Sequence, residues 1–290
     1  RGSRLALWQA EWVASKLKTL GAESELVLIE TQGDRERGPF AQMQGQGFFT
    51  KAVQDAVLGG RADVAVHSFK DLPSAGVEGL VLAAVPARED SRELLLMLPE
   101  NHDPDAGSLP LKKGVRVGTS AVRRRAQLEA QRPDLSVAEL RGNVPTRVEK
   151  LRQGEYGAIL LAQAGVHRLG LDLSGLYTQI LEPGLFVPAP AQGALALECR
   201  SDDARPLGLL GGLDDGAARR TVTAERGLMA RLAGGCQLAL GASATERDEE
   251  IELLAWYGGK LYTARAASPE AAADAVFRQI RADFPEAVEA

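Results

Sequence analysis

Cysteine, histidine and aromatic side chains are scarce in this chain of 290 residues: two Cys, three His, and 5% Phe, Trp and Tyr together. Two cysteines, Cys199 and Cys236, are too few for a disulfide framework. His67, His102 and His167 lie far apart, with no Cys or His at metal-ligand spacing, so no metal site is expected. No run of about 18 apolar residues exists for a membrane span. The apolar stretch at residues 5–8 is too short for a signal-peptide core. A GxxxxGKS/T phosphate loop and a GxGxxG turn between strand and helix are both missing, which leaves nucleotide cofactors unsupported. These absences predict a cytoplasmic protein with no metal and no membrane partner.

What is present is charge in an uneven distribution. The chain carries 34 Lys and Arg against 39 Asp and Glu, for a net −5. Residues 112–152 reverse the balance, with 11 cations against 4 acids. An acidic chain with one basic stretch calls for an anionic ligand there. Long duplex DNA fits poorly, because phosphate neutralisation would need a uniformly basic face. Aromatic stacking partners for single strands are missing around the basic motifs, so no nucleic-acid partner is expected.

Length gives two domains, with three possible. Helical patterns at 5–20, 48–58, 121–131, 144–153, 162–169 and 221–232 alternate with apolar strand-like runs. Those runs are 25–31, 62–67, 80–85, 93–98, 115–118, 137–140, 158–161 and 194–199. Continuous apolar strands between helices predict an α/β class with parallel sheets covered on both faces. Extended segments at 86–92 and 186–192 read as two crossings between blocks, which makes the first domain discontinuous. The expected division is 1–87 plus 193–212, then 92–188, then a small α+β domain over 216–290.

Four segments carry chemistry. The strand ending in Val66-His67-Ser68-Phe69-Lys70-Asp71-Leu72-Pro73 delivers a cation and a carboxylate where open α/β sheets place ligands. A Ser/His/Asp triad is disfavoured there, since neighbours on a strand face opposite ways and no nucleophile elbow is present. In Gly118-Thr119-Ser120-Ala121-Val122-Arg123-Arg124-Arg125, Thr or Ser is expected to cap a helix whose first turn holds arginines. Cations there oppose the helix dipole, so they fit only if an anion joins them. Leu140-Arg141-Gly142-Asn143-Val144-Pro145-Thr146-Arg147 repeats the arrangement, and its Arg141 and Arg147 are placed to join Arg123 and Arg124 in one carboxylate-binding cleft. Gly234-Gly235-Cys236-Gln237 puts a thiol on an accessible loop, as nucleophile or attachment point, whereas Cys199 shares a strand face with Leu195 and Leu197 and reads as core.

These segments, in this order, resemble the porphobilinogen deaminase (hydroxymethylbilane synthase) family. The matching stretches are RGSRLALWQ at 1–9, VHSFKDLP at 66–73, GTSAVRRR at 118–125, LRGNVPTR at 140–147, PAPAQGALALECR at 188–200 and GGCQ at 234–237. The resemblance implies three domains, the first two like periplasmic binding proteins with a cleft between them. It implies head-to-tail condensation of four porphobilinogen molecules, loss of four ammonia and release of the linear tetrapyrrole. It also implies a dipyrromethane cofactor held by a thioether to Cys236. Asp71 is then the catalytic residue, stabilising an azafulvenium-type cation and handling pyrrole protons. Lys70, Ser68, Thr119, Ser120, Arg123, Arg124, Arg141, Gly142 and Gln192 match cofactor-binding positions, and Arg1, Ser3, Gln9, Arg147 and Arg168 match substrate-binding ones. A monomer is expected, as no heptad repeat asks for assembly. Two departures stand out: Ala121 replaces a second Ser and Gln46 replaces a common Lys. The short segment that opens the family's first strand is also missing, so residue 1 is expected not to be the biological start. A non-catalytic carboxylate-binding protein is the rival reading.

Overall fold

In a computed structural model of the chain, the structure describes residues 1–30, 50–232 and 238–285. Helix α1 (Arg4–Thr19) starts where the Ser3 hydroxyl accepts from the Ala6 amide, an N-cap, and places Lys16 and Lys18 in its last turn, favourable for the dipole. Helix α2 (Lys51–Leu58) precedes strand β1 (Val64–Ser68), which runs into a single 3-10 turn, Phe69–Asp71, and then β2 (Leu80–Ala84). A second block follows: β3 (Glu93–Met97), β4 (Arg116–Gly118), α3 (Val122–Gln131), β5 (Ser136–Ala138), α4 (Val144–Arg152), β6 (Ala158–Ala162), α5 (Gln163–Leu169) and β7 (Tyr177–Leu181). The chain then returns through β8 (Leu195–Arg200) and α6 (Ala204–Gly211) before α7 (Gly216–Arg231), β9 (Gly241–Arg247), β10 (Glu250–Tyr257), β11 (Lys260–Ala266) and α8 (Pro269–Asp283).

The molecule is α/β with a small α+β unit at the end. Strand order is β1-β8-β2 in the first sheet, β5-β4-β6-β3-β7 in the second and β11-β10-β9 in the third. In the second sheet, β3 is buried at every residue, and its alternating side chains feed two cores. Leu95 and Met97 pack with Leu128 of α3, whereas Leu94 and Leu96 pack with Val148 and Leu151 of α4. Helices therefore cover both faces. Glu93 lies on the Leu95 face, the face on which α3 packs, and that placement decides much of the site chemistry.

Several expectations need correction. The sheets are not all parallel: β8 runs antiparallel to β1 and β2, and β3 runs antiparallel to β6 and β7, leaving β4 parallel to β5 and β6. A continuous apolar run reports that both faces are covered and says nothing of its neighbours' direction. No strand forms over 25–30, where Leu26, Val27 and Leu28 are 39, 49 and 62% exposed. β-propensity becomes a strand only where a neighbour supplies ladder bonds. Residues 204–211, outside the expected helical patterns, form α6, whose Leu210 joins Val13 and Leu197 in the first core. The N-cap position of α3 is Ala121, with no side-chain cap; the Thr119 hydroxyl instead accepts from the Ala121 amide.

The two crossings touch each other. The Glu89 amide donates to the Gly193 carbonyl at 3.2 Å. Gly193 has φ +84°, and a Cβ there would lie 2.3 Å from the Glu89 carbonyl oxygen, so a side chain would force the crossings apart.

Candidate active site

The 3-10 turn after β1 sets Lys70 and Asp71 side by side, with Phe69 and Leu72 buried beneath them. Asp71 is exposed and Lys70 half-buried. The Lys70 ammonium donates to Gln192 Oε1 at 3.1 Å, and Gln192, fully buried, donates to the Ser91 carbonyl at 2.9 Å. Loss of water around Lys70, then the Arg124 guanidinium, pull its pKa down to about 8, while Asp71 acts the other way. One side chain from the first sheet is thereby held on the second crossing.

Strands β4 and β5 are parallel neighbours, so the loops at 118–121 and 139–143 leave the same sheet edge. Arg123 and Arg124 are each only 5% exposed. The Arg123 guanidinium donates to the Val187 carbonyl at 2.7 Å and to Glu93 Oε1 at 2.5 Å, and Arg124 donates to the Leu160 carbonyl at 2.9 Å. Arg124 also lies 2.7 Å from Glu93 Oε2. The Glu93 carboxylate is buried yet held down at about 2, because Arg124 and Arg123 outweigh the desolvation that pushes it up. Arg147 lies in the same field: loss of water and Arg124 lower it to about 10, and Asp71 opposes them. Lys70, Arg123, Arg124 and Arg147 thus face two carboxylates, Glu93 and Asp71, and Arg124 Nε is buried without a hydrogen-bond partner. Such an excess of buried cations accommodates a polycarboxylate group.

Other expected site residues have local partners. Ser120 donates its hydroxyl to the Leu140 carbonyl, and Thr119 holds the turn, so both tie one basic loop to the next. Gly142 has φ +114°, and Arg147 Nε donates to its carbonyl at 2.7 Å. Arg141 pairs with Glu139 at 2.7 Å with its side chain 33% exposed. Arg168 donates to the Gly193 carbonyl at 2.8 Å and lies 5.7 Å from the Trp8 ring centroid, at the crossing rather than among the buried arginines. Gln9 and Ser68 join through their side chains at 2.9 Å, while His67 instead meets Glu198 at 3.0 Å, which separates the would-be triad members. Arg1, Gln9, Ser68 and Asp71 line a cavity of about 660 Å³ whose wall includes none of Lys70, Arg124 and Arg147. Ser3 serves α1 as its cap.

Sequence reasoning passed over Glu93, Glu225, Arg88 and Arg226. Glu93 had a signal, a lone acid opening the run Leu94-Leu95-Leu96-Met97. Cys236 and Gln46 lie outside the described residues. Cys199 is fully buried in the first core, and that burial raises its thiol pKa. Among the described residues, no group of three or more His, Cys, Asp or Glu comes together for a metal, and no helix is long and apolar enough to cross a membrane.

A family model described as "Porphobilinogen deaminase, dipyromethane cofactor binding domain" matches residues 1–207. The chain belongs to the porphobilinogen deaminase family. The family's C-terminal domain matches residues 219–264. Named porphobilinogen deaminases that are similar include that of Syntrophotalea carbinolica, 43% identical over 288 residues, covering 97% of this chain and 89% of the relative. That of Roseiflexus is 43% identical over 264 residues, covering 90 and 84%, and that of Halalkalibacterium halodurans is 44% identical over 262 residues, covering 89 and 82%. A periplasmic binding protein of Salmonella typhimurium, described as highly arginine-specific, aligns with a TM-score of 0.39 at 11% identity over 73% of this chain and 83% of its own. The VFT2 domain of Bordetella pertussis BvgS gives 0.41 at 13% identity over 70 and 75%. At such scores the fold rests on the strand order above. Membership of a porphobilinogen deaminase family makes the chain an enzyme with a dipyrromethane-binding domain, and the buried cations fit that group's carboxylates.

Proposed function

We propose that the chain is a transferase that joins four porphobilinogen molecules head to tail, releases four ammonia and frees hydroxymethylbilane when water cleaves its bond to the cofactor. The observation that carries the reading is an exposed carboxylate, Asp71, set beside Lys70 in the field of Arg124 and Arg147. Each porphobilinogen has an acetate and a propionate arm, so every added unit brings two negative charges for those cations to hold. As ammonia leaves, positive charge develops on the pyrrole unit, and a carboxylate at Asp71 balances it and takes the proton lost by the acceptor carbon. Bound dipyrromethane supplies the pyrrole carbon at which growth starts, with Cys236 as its thioether attachment. Lys70, Arg123 and Arg124, with Ser68, Thr119, Ser120, Arg141, Gly142 and Gln192, are assigned to cofactor. Arg147, Arg1, Ser3, Gln9 and Arg168 are assigned to substrate. The reading treats 1–87 plus 193–212, 92–188 and 216–290 as three domains of a cytoplasmic monomer.

Intact-protein mass and ammonia release test it together. Protein from a porphyrin-competent host should carry about 420 Da beyond its sequence, two porphobilinogen units less two ammonia, and Cys236→Ser should lose it. Reversible carboxylate binding with no adduct and no ammonia would favour the non-catalytic carboxylate-binding protein instead. Asp71→Asn should stay folded and loaded but turn over at least ~10²-fold more slowly.

A further inference from the structure

Helix α7 belongs to two cores at once. Ala218 and Val222, in its first half, pack with Phe69 and Leu72 under the active-site turn, whereas Ala224, Leu228 and Met229 pack into the third sheet's core. Glu225 and Arg226 sit where the helix passes from one core to the other. Glu225 faces the crossings: it takes both Arg88 nitrogens at 2.8 and 2.9 Å and the Ala191 amide at 2.6 Å. Arg226 faces the turn. Its guanidinium donates to the Phe69 carbonyl at 3.2 Å, the Leu72 carbonyl at 3.0 Å and the Pro73 carbonyl at 2.6 Å, and stacks 4.4 Å from the Phe69 ring centroid.

We propose that Arg226 is a positioning residue for Asp71: from α7 it grips the backbone on both sides of Lys70-Asp71 and fixes where the catalytic carboxylate stands. Three carbonyls converging on one planar fork leave the 69–73 backbone little freedom, and the cation on the Phe69 face holds the same residue from its side chain. The turn is one 3-10 step with a single Leu72 amide to Phe69 carbonyl bond at 3.2 Å of its own. Its geometry is therefore imposed from outside. A carboxylate that must meet developing charge loses much of its effect when displaced by about 1 Å. The inference rests on the porphobilinogen-polymerising reading of this site.

The test compares Arg226→Met and Arg226→Lys with Arg219→Met in the cofactor-loaded enzyme. Arg219 also ties α7 to the first unit, through Asp214 and the Ala83 carbonyl, but away from the turn. Arg226→Met is expected to lower kcat at least tenfold per cofactor-loaded molecule with KM within threefold. Arg226→Lys should recover part of that loss, and Arg219→Met should leave kcat within twofold. Amide hydrogen exchange should show protection lost at 69–72 in Arg226→Met and kept along β1. A kcat within threefold for both Arg226 variants, or an equal fall in Arg219→Met, overturns the proposal. The exchange measurement needs no turnover: turn amides that are protected in an inactive, adduct-free wild type and lose that protection in Arg226→Met would sink the polymerase reading while leaving the positioning contact standing. Unchanged exchange in Arg226→Met overturns the contact whatever the activity.

Discussion

Two loops leave the same edge of the second sheet, each carrying arginines into a helix, and they behave in opposite ways. The loop at 118–125 buries Arg123 and Arg124 and pairs them internally, on Glu93 and on the carbonyls of Leu160 and Val187. The loop at 140–147 keeps Arg141 on surface Glu139 and leans Arg147 toward Asp71 and Arg124. The difference teaches that similar motifs divide the work: one loop builds a fixed positive floor, and the other supplies adjustable charge above it. Burial decides which is which, because a buried cation needs its partners built in while an exposed one can exchange them.

The largest effect expected from breaking this contrast is at Glu93. Glu93→Gln leaves two buried guanidinium groups without a carboxylate, and should cost about 3–5 kcal/mol in chemical denaturation. A loss under about 1 kcal/mol would mean the first loop is no more fixed than the second. The pH dependence sharpens the same point. The Glu93 carboxyl is lower in the folded chain than in the unfolded one, so its contribution is complete above about pH 4.5 and lost as pH falls toward 2. The wild type should therefore lose stability over that range, and Glu93→Gln should lack this part of the acid limb.

Next comes Arg147→Met, which should change stability by less than about 1 kcal/mol yet raise KM for the dicarboxylate substrate by about tenfold, the scale of one charge-assisted hydrogen bond. Lys70 reports on the floor itself. In cofactor-free protein its amine should titrate near 8 by NMR, since burial and Arg124 disfavour the charged form. Cofactor carboxylates would offset those cations, so loading should move the midpoint upward; a downward move would contradict the assignment. Arg141→Met should have the smallest effect, a few-fold in KM with stability unchanged, because Glu139 already neutralises part of its charge.

The chemistry-bearing segments were legible because their meaning is local. A strand ending in Lys70-Asp71, two strand-to-helix turns crowded with arginine and buried Cys199 can be read from order and spacing alone. Partners were not legible when they came from far along the chain. Glu93 meets arginines 30 residues on, and Arg226 reaches a turn more than 150 residues back. Strand direction escaped for a related reason: apolar runs such as Leu94-Leu95-Leu96-Met97 fix burial, while antiparallel pairing of β3 with β6 follows from the path of the connections. The run at 25–30 shows the limit of propensity, since without a neighbour it forms no strand among the described residues.

By itself, then, the sequence determined most element types of the first two blocks, the scarcity of thiols and histidines, and a basic stretch too concentrated to be solvent decoration. Those follow from side-chain chemistry and short-range periodicity. Only the tertiary structure decided which arginines are structural, that Gln192 receives Lys70, and that α7 holds the active-site turn from a second core. Such choices depend on which long-range partner removes a charge from water, and distance along the chain does not encode distance in space.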